Sequence, residues 1–269
     1  MYGKALRLER LTHSKSKRMC MVPLDHGITV GPIDGIRDYL NTIGQVVDGG
    51  ADAVILHKGL FKAAIQQEQL LKGKYIMHLS ASTVLGLDPH AKVLVGSVEE
   101  AIELGADGVS IHVNLGCKTE SEMIRDLGKV SSECQKWGMP LLAMMYVQSQ
   151  NGMQNDNKLI HGVRIAEELG ADIVKVNYPG SRGTLEKLMQ SVRIPVLIAG
   201  GVKVDRPEEL LKMVDNVLGL GVKGVAIGRN IFQFPQPRFM TRLISKMVHN
   251  EISLQEALLD LEHILEVAL

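Results

Sequence analysis

The chain has 269 residues, 45% of them hydrophobic and 22% charged, with thirty basic residues balancing thirty acidic ones. That composition excludes a disordered chain, a collagen-like chain and, with no apolar run near the length of a bilayer span, an integral helical membrane protein. Balanced charge without a long Lys/Arg run excludes the footprint of a nucleic-acid binder, and three cysteines with no C-x-x-C pair argue for reduced thiols in the cytoplasm rather than a disulfide framework or structural zinc site.

No Pro- or Ser-rich linker divides the sequence, and its length suits one closed α/β barrel, so residues 1–269 are expected to form a single (β/α)8 barrel domain. The opening MYGKALRLERL lacks the apolar core of a secretory signal and reads as a short helix closing the barrel bottom. A first strand over 19–24 ends in Asp25-His26-Gly27. A repeat then begins: Gly50-Ala-Asp-Ala-Val-Ile-Leu-His57 returns as Gly105-Ala-Asp-Gly-Val-Ser-Ile-His112, as Gly170-Ala-Asp-Ile-Val-Lys-Val-Asn177 and, more loosely, as Gly221-Val-Lys-Gly-Val-Ala-Ile-Gly228. Each glycine stands where a helix should end in a left-handed residue, and a strand follows. Further strands over 75–79, 140–145 and 195–199 alternate with these and bring the count to eight. Ser97-x-x-Glu100, Thr119-x-x-Glu122 and Ser253-x-x-Glu256 are capping boxes that start helices. The last opens an extra C-terminal helix whose Leu254, Leu258, Leu261 and Leu265 recur at packing distance.

Alternation splits the four repeat strands into two faces. Val54, Leu56, Val109, Ile111, Val174, Val176, Val225 and Ile227 make one aliphatic face, expected beneath the outer helices. The opposite face has a middle row of Ile55, Ser110, Lys175 and Ala226 and an upper row of His57, His112, Asn177 and Gly228. Lys175 therefore points inward from an apolar strand. Burial disfavours the ammonium form of a lysine, as would a neighbouring cation such as Lys203, and a neutral amine attacks a carbonyl to form a Schiff base. The same residue could instead snorkel to solvent or pair with Asp25. Such chemistry needs proton carriers, for which Tyr146, ending the strand beside that of Lys175, and Asp25, at the end of strand one, are available; the alternatives are a rim tyrosine and a loop-capping aspartate. Gly200-Gly201 and Gly228-Arg229 follow strands seven and eight, where such barrels hold phosphate. His26, His57, His78 and His112 raise a metal-dependent reading, but no H-x-H or H-x-x-x-H pair supplies neighbouring ligands; no metal is expected. Met144, Met145 and Trp137 read as packing.

Val22-Pro-Leu-Asp25-His-Gly, Leu56-His-Lys-Gly59, Val109-Ser-Ile-His-Val-Asn114, the run from Trp137 to Tyr146, Ala171-Asp-Ile-Val-Lys175, Ala199-Gly-Gly201 and Gly228-Arg-Asn-Ile-Phe232 together resemble the archaeal-type, DeoC/LacD-like class I aldolases over nearly the whole chain. The resemblance implies Lys175 as the Schiff-base lysine, Tyr146 as proton donor and Asp25 as proton acceptor. It implies substrate contacts at Asp25, His26, Gly27, Ile28 and Thr29, at Tyr146, Val147 and Gln148, and at Gly200, Gly201, Gly228 and Arg229. No cofactor is implied. The branch most resembled moves a three-carbon unit from a phosphorylated ketose to L-aspartate 4-semialdehyde, and the family forms large homo-oligomers, often decamers. The neighbouring readings are a fructose-bisphosphate aldolase, an aldolase joining dihydroxyacetone phosphate to the same semialdehyde, and a sugar-phosphate-binding barrel without turnover. Two departures stand out. Val147-Gln148-Ser149 replaces the family's usual Pro-Arg-Gly after the tyrosine, and Met144 stands where the fructose-bisphosphate aldolases often place tryptophan.

Overall fold

The four repeat glycines all adopt positive φ in the computed structural model, +92° at Gly50, +79° at Gly105, +88° at Gly170 and +89° at Gly221, as a helix-to-strand corner demands. The structure describes residues 2–68, 71–148 and 156–267; Ser149 lies outside them. Ten strands follow in chain order: β1 (Met19–Pro23), β2 (Ala53–Leu56), β3 (Tyr75–His78), β4 (Ser80–Ala81), β5 (Val93–Leu94), β6 (Gly108–Leu115), β7 (Leu141–Val147), β8 (Ile173–Asn177), β9 (Val196–Ala199) and β10 (Gly224–Ala226). Eight of them close a parallel barrel in the order β1-β2-β3-β6-β7-β8-β9-β10, with β1 pairing both β2 (Met21↔Ala53) and β10 (Met21↔Ala226). The four repeat strands occupy alternate places in that ring. A short antiparallel hairpin of β4 and β5 had no counterpart in the periodicity, because two-residue strands carry no period.

The two faces separate as alternation requires. Val54, Leu56, Val109, Ile111, Val174, Val176, Val225 and Ile227 belong to the layer between barrel and helices. Met19, Met21, Ala53, Ile55, Ile76, Leu142, Met144, Ile173, Leu197 and Ala226 fill the barrel interior, joined from below by Leu11 of the N-terminal helix Tyr2–Leu11. The bottom is thus plugged and the opposite mouth is left to polar groups.

The aspartates of the repeat tie strand beginnings together. Asp52 takes the Cys20 N–H at 2.7 Å, Asp107 the Tyr75 N–H at 3.0 Å, and Asp172 the Leu141 N–H at 2.8 Å. Each also sends its own backbone N–H to the carbonyl of that same residue. Basic side chains complete them: Lys4 and Arg10 of the first helix stand 2.8 Å from Asp172 and Asp107, and His249 lies 3.1 Å from Asp52. The fourth copy has Lys223 here and keeps only the backbone bond, to Val196. Asp107→Ala is expected to destabilise the fold by about 2–3 kcal/mol, because it leaves a buried N–H without its charged acceptor. Arg10→Ala should cost under about 1 kcal/mol, since its partner bond is solvent-screened at 65% side-chain exposure. Urea unfolding of the two variants measures the difference.

Of the three capping boxes, those at Ser97 and Ser253 form with both reciprocal bonds. Thr119 caps the helix Glu120–Trp137 without a side-chain bond; Glu120 instead turns back to accept the Gly116 N–H. The C-terminal helix Leu254–Val267 buries Leu261 and packs against the helix Pro207–Leu218, with Leu254, Leu258 and Leu265 partly covered. Trp137 is 43% exposed beside Gly138, its indole N–H donating to Glu99. Among the described residues no helix is long and apolar enough to cross a membrane.

Candidate active site

Strand alternation delivers Leu142, Met144 and Tyr146 of β7 inward, and Ile173, Lys175 and Asn177 of β8 beside them, with Met144 in register opposite Lys175. They meet residues from the other strand ends in a cavity of about 500 Å³ at the C-terminal mouth. Its walls are Asp25, His26, Thr29, Val30 and Ile33 after β1, His57 after β2, His78, Ser80 and Lys92 around the hairpin, His112, Met144, Tyr146 and Lys175, and finally Lys203, Arg229 and Gln233.

Lys175 is buried at 6% exposure. Its Nζ lies 4.0 Å from Met144 Sδ, and no carboxylate comes within ion-pair distance of it among the described residues. Neither snorkelling nor a direct pair with Asp25 describes it. Met144, expected as packing alone, is a wall of the site, because an inward position next to Lys175 faces the cavity as well as the core.

Asp25 begins the short helix His26–Val30 but makes no capping bond with its side chain. The carboxylate turns into the cavity, 3.6 Å from His26 Nδ1 and 3.7 Å from His78 Nε2. Burial by itself would push its carboxyl up; the facing His78, His26, Lys175 and His57 outweigh it and hold the group well below the usual carboxylate range. Asp25 is an anion throughout the physiological range. Tyr146 stacks on His112 with centroids 4.5 Å apart and planes at 24°. Its hydroxyl is bonded to none of the described residues.

Two of the site histidines are hydrogen-bonded to protein groups, whereas Nδ1 of His26 and of His57 is buried with no hydrogen-bond partner among the described residues. His78 Nδ1 lies 2.8 Å from Ser110 Oγ, His112 Nε2 lies 3.0 Å from Asn114 Oδ1, and the His57 and His78 rings meet edge-on at 5.1 Å. Among the described residues no three His, Cys, Asp or Glu side chains are grouped as a metal would require. Burial pushes His78 and His112 down to about 3 from an ordinary value near 6.5, and lowers His26 and His57 as well.

That burial makes the fold acid-labile. Between pH 6.5 and about 3 the unfolded chain binds a proton at His78 that the folded chain refuses, so stability is fully present above pH 6.5 and is lost as pH falls through this window. The slope is about 1.4 kcal/mol per pH unit for one such group. His78→Gln is expected to flatten the pH dependence of urea unfolding between pH 6 and 4; an unaltered slope would show that His78 takes up its proton without unfolding.

The glycine-rich ends of β9 and β10 open into an adjoining cavity of about 550 Å³ that shares Tyr146 and Arg229 with the first. Gly200 and Gly201 line it. Arg229 donates to the Gly201 carbonyl at 3.1 Å, and its Nε is buried without a partner. A Cβ on Gly228 would stand 2.7 Å from His26 Cε1 and 2.8 Å from the Pro23 carbonyl, so only glycine lets β10 pass β1 so closely. Asn230 rivets this loop: its side chain donates to Gly200 and Val202 carbonyls at 2.9 Å each and accepts the Val204 N–H at 2.8 Å.

Of the expected contacts, Asp25, His26, Thr29, Tyr146, Lys175 and Arg229 line the mouth cavity, and Gly200 and Gly201 line its neighbour. Gly27, Ile28, Val147, Gln148 and Gly228 are not on its walls. Ile28 is 41% exposed, Val147 alternates outward, and Gln148 reaches sideways to His90 Nδ1 at 2.9 Å. Lys92 and Gln233 joined the site without any sequence signal, since neither sits at a barrel-strand end. His57, Ser80, His112 and Lys203 do sit there, and strand-end position is the signal that finds them.

A parallel eight-stranded barrel with its polar cavity at the C-terminal mouth defines a barrel enzyme. The family model for DeoC/LacD family aldolases matches residues 19–234, and the chain belongs to that family. It is 39% identical over 251 residues to a 2-amino-4,5-dihydroxy-6-oxo-7-(phosphonooxy)heptanoate synthase of Streptomyces griseus, covering 93% of this chain and 91% of that one. It is 42% identical over 258 residues to 2-amino-3,7-dideoxy-D-threo-hept-6-ulosonate synthase 1 of Archaeoglobus fulgidus, covering 96% and 95%. A solved Schiff-base-forming fructose-1,6-bisphosphate aldolase superimposes with a TM-score of 0.82 at 27% identity over 91% of this chain and 99% of its own. The protein is an enzyme of the DeoC/LacD aldolase family.

Proposed function

We propose that the chain condenses a phosphorylated ketose with Lys175 and transfers the resulting three-carbon enamine to L-aspartate 4-semialdehyde, as in making 2-amino-3,7-dideoxy-D-threo-hept-6-ulosonate. The names of both relatives describe seven-carbon 2-amino acids with a ketone at carbon 6. An aldol bond between carbons 4 and 5 divides such a product into a three-carbon ketone donor and 2-amino-4-oxobutanoate, which is aspartate semialdehyde. The Streptomyces griseus relative favours a second reading for the donor, in which a phosphate stays on carbon 7 and dihydroxyacetone phosphate supplies the unit. Both readings share the acceptor.

The observation that carries the proposal is the amine of Lys175, buried in the cavity with no carboxylate of the described residues in ion-pair contact. It attacks the ketone carbon, and loss of water from the carbinolamine gives an iminium. That cation takes up the electron pair of the breaking C–C bond, leaving an enamine, while the carbinol gives its proton to a base and departs as an aldehyde; from dihydroxyacetone phosphate the same kind of enamine forms by loss of an α-proton to the base. The enamine carbon then attacks the acceptor aldehyde, the new alkoxide takes a proton, and water releases the product from the lysine. Tyr146, whose hydroxyl is bonded to none of the described residues, is the proton donor, and Asp25, ionised in the resting site, is the acceptor that takes the carbinol proton transiently and hands it on. Gly200, Gly201, Lys203 and Arg229 hold the phosphate on the β9–β10 side, the usual location in this fold, and Gly228 serves by letting Arg229 follow β10 so close to β1. The homo-oligomer implied by the resemblance belongs to the same reading, and sedimentation velocity measures it.

Incubation with dihydroxyacetone phosphate and borohydride, then peptide mapping, is expected to place the reduced adduct on Lys175. Label on another residue of an active preparation, or activity abolished by chelators and untouched by borohydride, overturns the assignment.

A further inference from the structure

Resting on that reading of the site, we propose that Lys92 binds the carboxylate of the acceptor aldehyde and so sets the enzyme's preference for an acidic acceptor. The barrel order carries the argument. Lys203 and Arg229 stand after β9 and β10, the seventh and eighth strands of the ring, whereas Lys92 comes from the excursion between the third and fourth, halfway round the mouth. A cavity with cations at two opposed walls and an inward lysine on a third fits a reaction between a phosphorylated donor and a carboxylate-bearing acceptor, each gripped by its own charged end.

Lys92 is built into place. It precedes β5, whose pairing with β4 fixes Ala81 opposite Val93 and Ser80 opposite Leu94. The loop before it is tied on both sides of the mouth: Val84 N–H donates to the Thr29 carbonyl at 2.9 Å, and the His90 carbonyl accepts from Asn114 at 2.8 Å and from the Lys92 N–H at 3.0 Å. The His90 ring meets the Gln148 amide at 2.9 Å. Such a loop presents its lysine with little ordering left to do at binding. No carboxylate of the described residues comes within ion-pair distance of the Lys92 ammonium. Burial pushes that ammonium below the ordinary lysine range, and Asp25 across the cavity offsets part of the penalty. A half-buried cation without a direct partner is relieved by an incoming anion. The Asp25 carboxylate faces His26 at 3.6 Å and His78 at 3.7 Å and makes no direct pair with Lys92, which leaves that ammonium free for the carboxylate of a ligand.

The test compares two acceptors of equal size, L-aspartate 4-semialdehyde and its carboxamide 2-amino-4-oxobutanamide, with dihydroxyacetone phosphate as donor. In the wild type the acid should be preferred in kcat/KM. In Lys92→Met that preference should fall about 10- to 100-fold, the range of one charge-assisted hydrogen bond. Lys92→Arg should keep all but a few-fold of it. A preference unaltered in Lys92→Met, a parallel loss with both acceptors, or no acid preference in the wild type overturns the proposal. Borohydride trapping in the wild type separates the two failures: no adduct on Lys175 sinks the aldolase reading, whereas an adduct with an unmoved preference sinks only the role of Lys92.

Discussion

Lys175→Met is expected to remove turnover, lowering kcat by roughly 10⁴-fold or more, the scale of deleting a covalent nucleophile. The borohydride adduct should vanish with it. Lys175→Arg should fail equally, and this variant is the more informative. A guanidinium keeps the positive charge at the site, yet its delocalised nitrogens form no Schiff base under these conditions. If Lys175 served only as a cation opposing Asp25, arginine would restore activity; if it is the nucleophile, arginine restores nothing. Stability should move the other way. Methionine is near in volume and would stand beside Met144 and Leu197, its register partners on the flanking strands, removing a buried amine that pairs with no carboxylate among the described residues, so Lys175→Met should unfold at the same or higher urea concentration than the wild type. Lost turnover with retained or raised stability would separate chemistry from folding.

Tyr146→Phe is expected to cost roughly 10²- to 10⁴-fold in kcat, the range for a positioned acid or base. The stack of its ring on His112 is kept, so the cavity walls stay in place and only the hydroxyl is missing. The loss should fall on kcat more than on KM, because a proton carrier acts in the transition state and adds little to ground-state binding. Trapping of the donor should become slower without being abolished, since the amine remains. A Tyr146→Phe enzyme with wild-type kcat would transfer the proton role to Asp25, which has charge and burial but reaches the cavity from the opposite wall.

Much of the fold could be read from residue order because it rests on local physics. The glycines of the repeat mark corners where only a left-handed residue fits, and all four take positive φ. Period-two alternation decided which of Val174 and Lys175 faces the helices and which the barrel axis. The aspartates of the same repeat carry no local signal of their role. Their role depends on the neighbouring strand's first N–H and on basic residues more than fifty positions away, as with Lys4 and Asp172 or His249 and Asp52. The Thr119 box does not form because the Glu122 N–H goes to the Thr119 backbone carbonyl at 3.2 Å, while the threonine hydroxyl faces Cys117 Sγ at 3.6 Å.

The order of residues by itself determined the barrel, the inward lysine and the strand ends that furnish Asp25, Tyr146 and Arg229, since periodicity and glycine corners are written along the chain. Tertiary structure decided which strand-end residues reach the cavity. Lys92 enters because a tied hairpin bends back over the mouth, whereas Ile28 and Gln148, adjacent in sequence to wall residues, turn away from it. It also decided the electrostatics, for the pull on Asp25 comes from His78, Lys175 and His57 on three other strands. Alternation along one strand specifies a direction, but the distance between groups on different strands is set by barrel closure, which no single segment encodes.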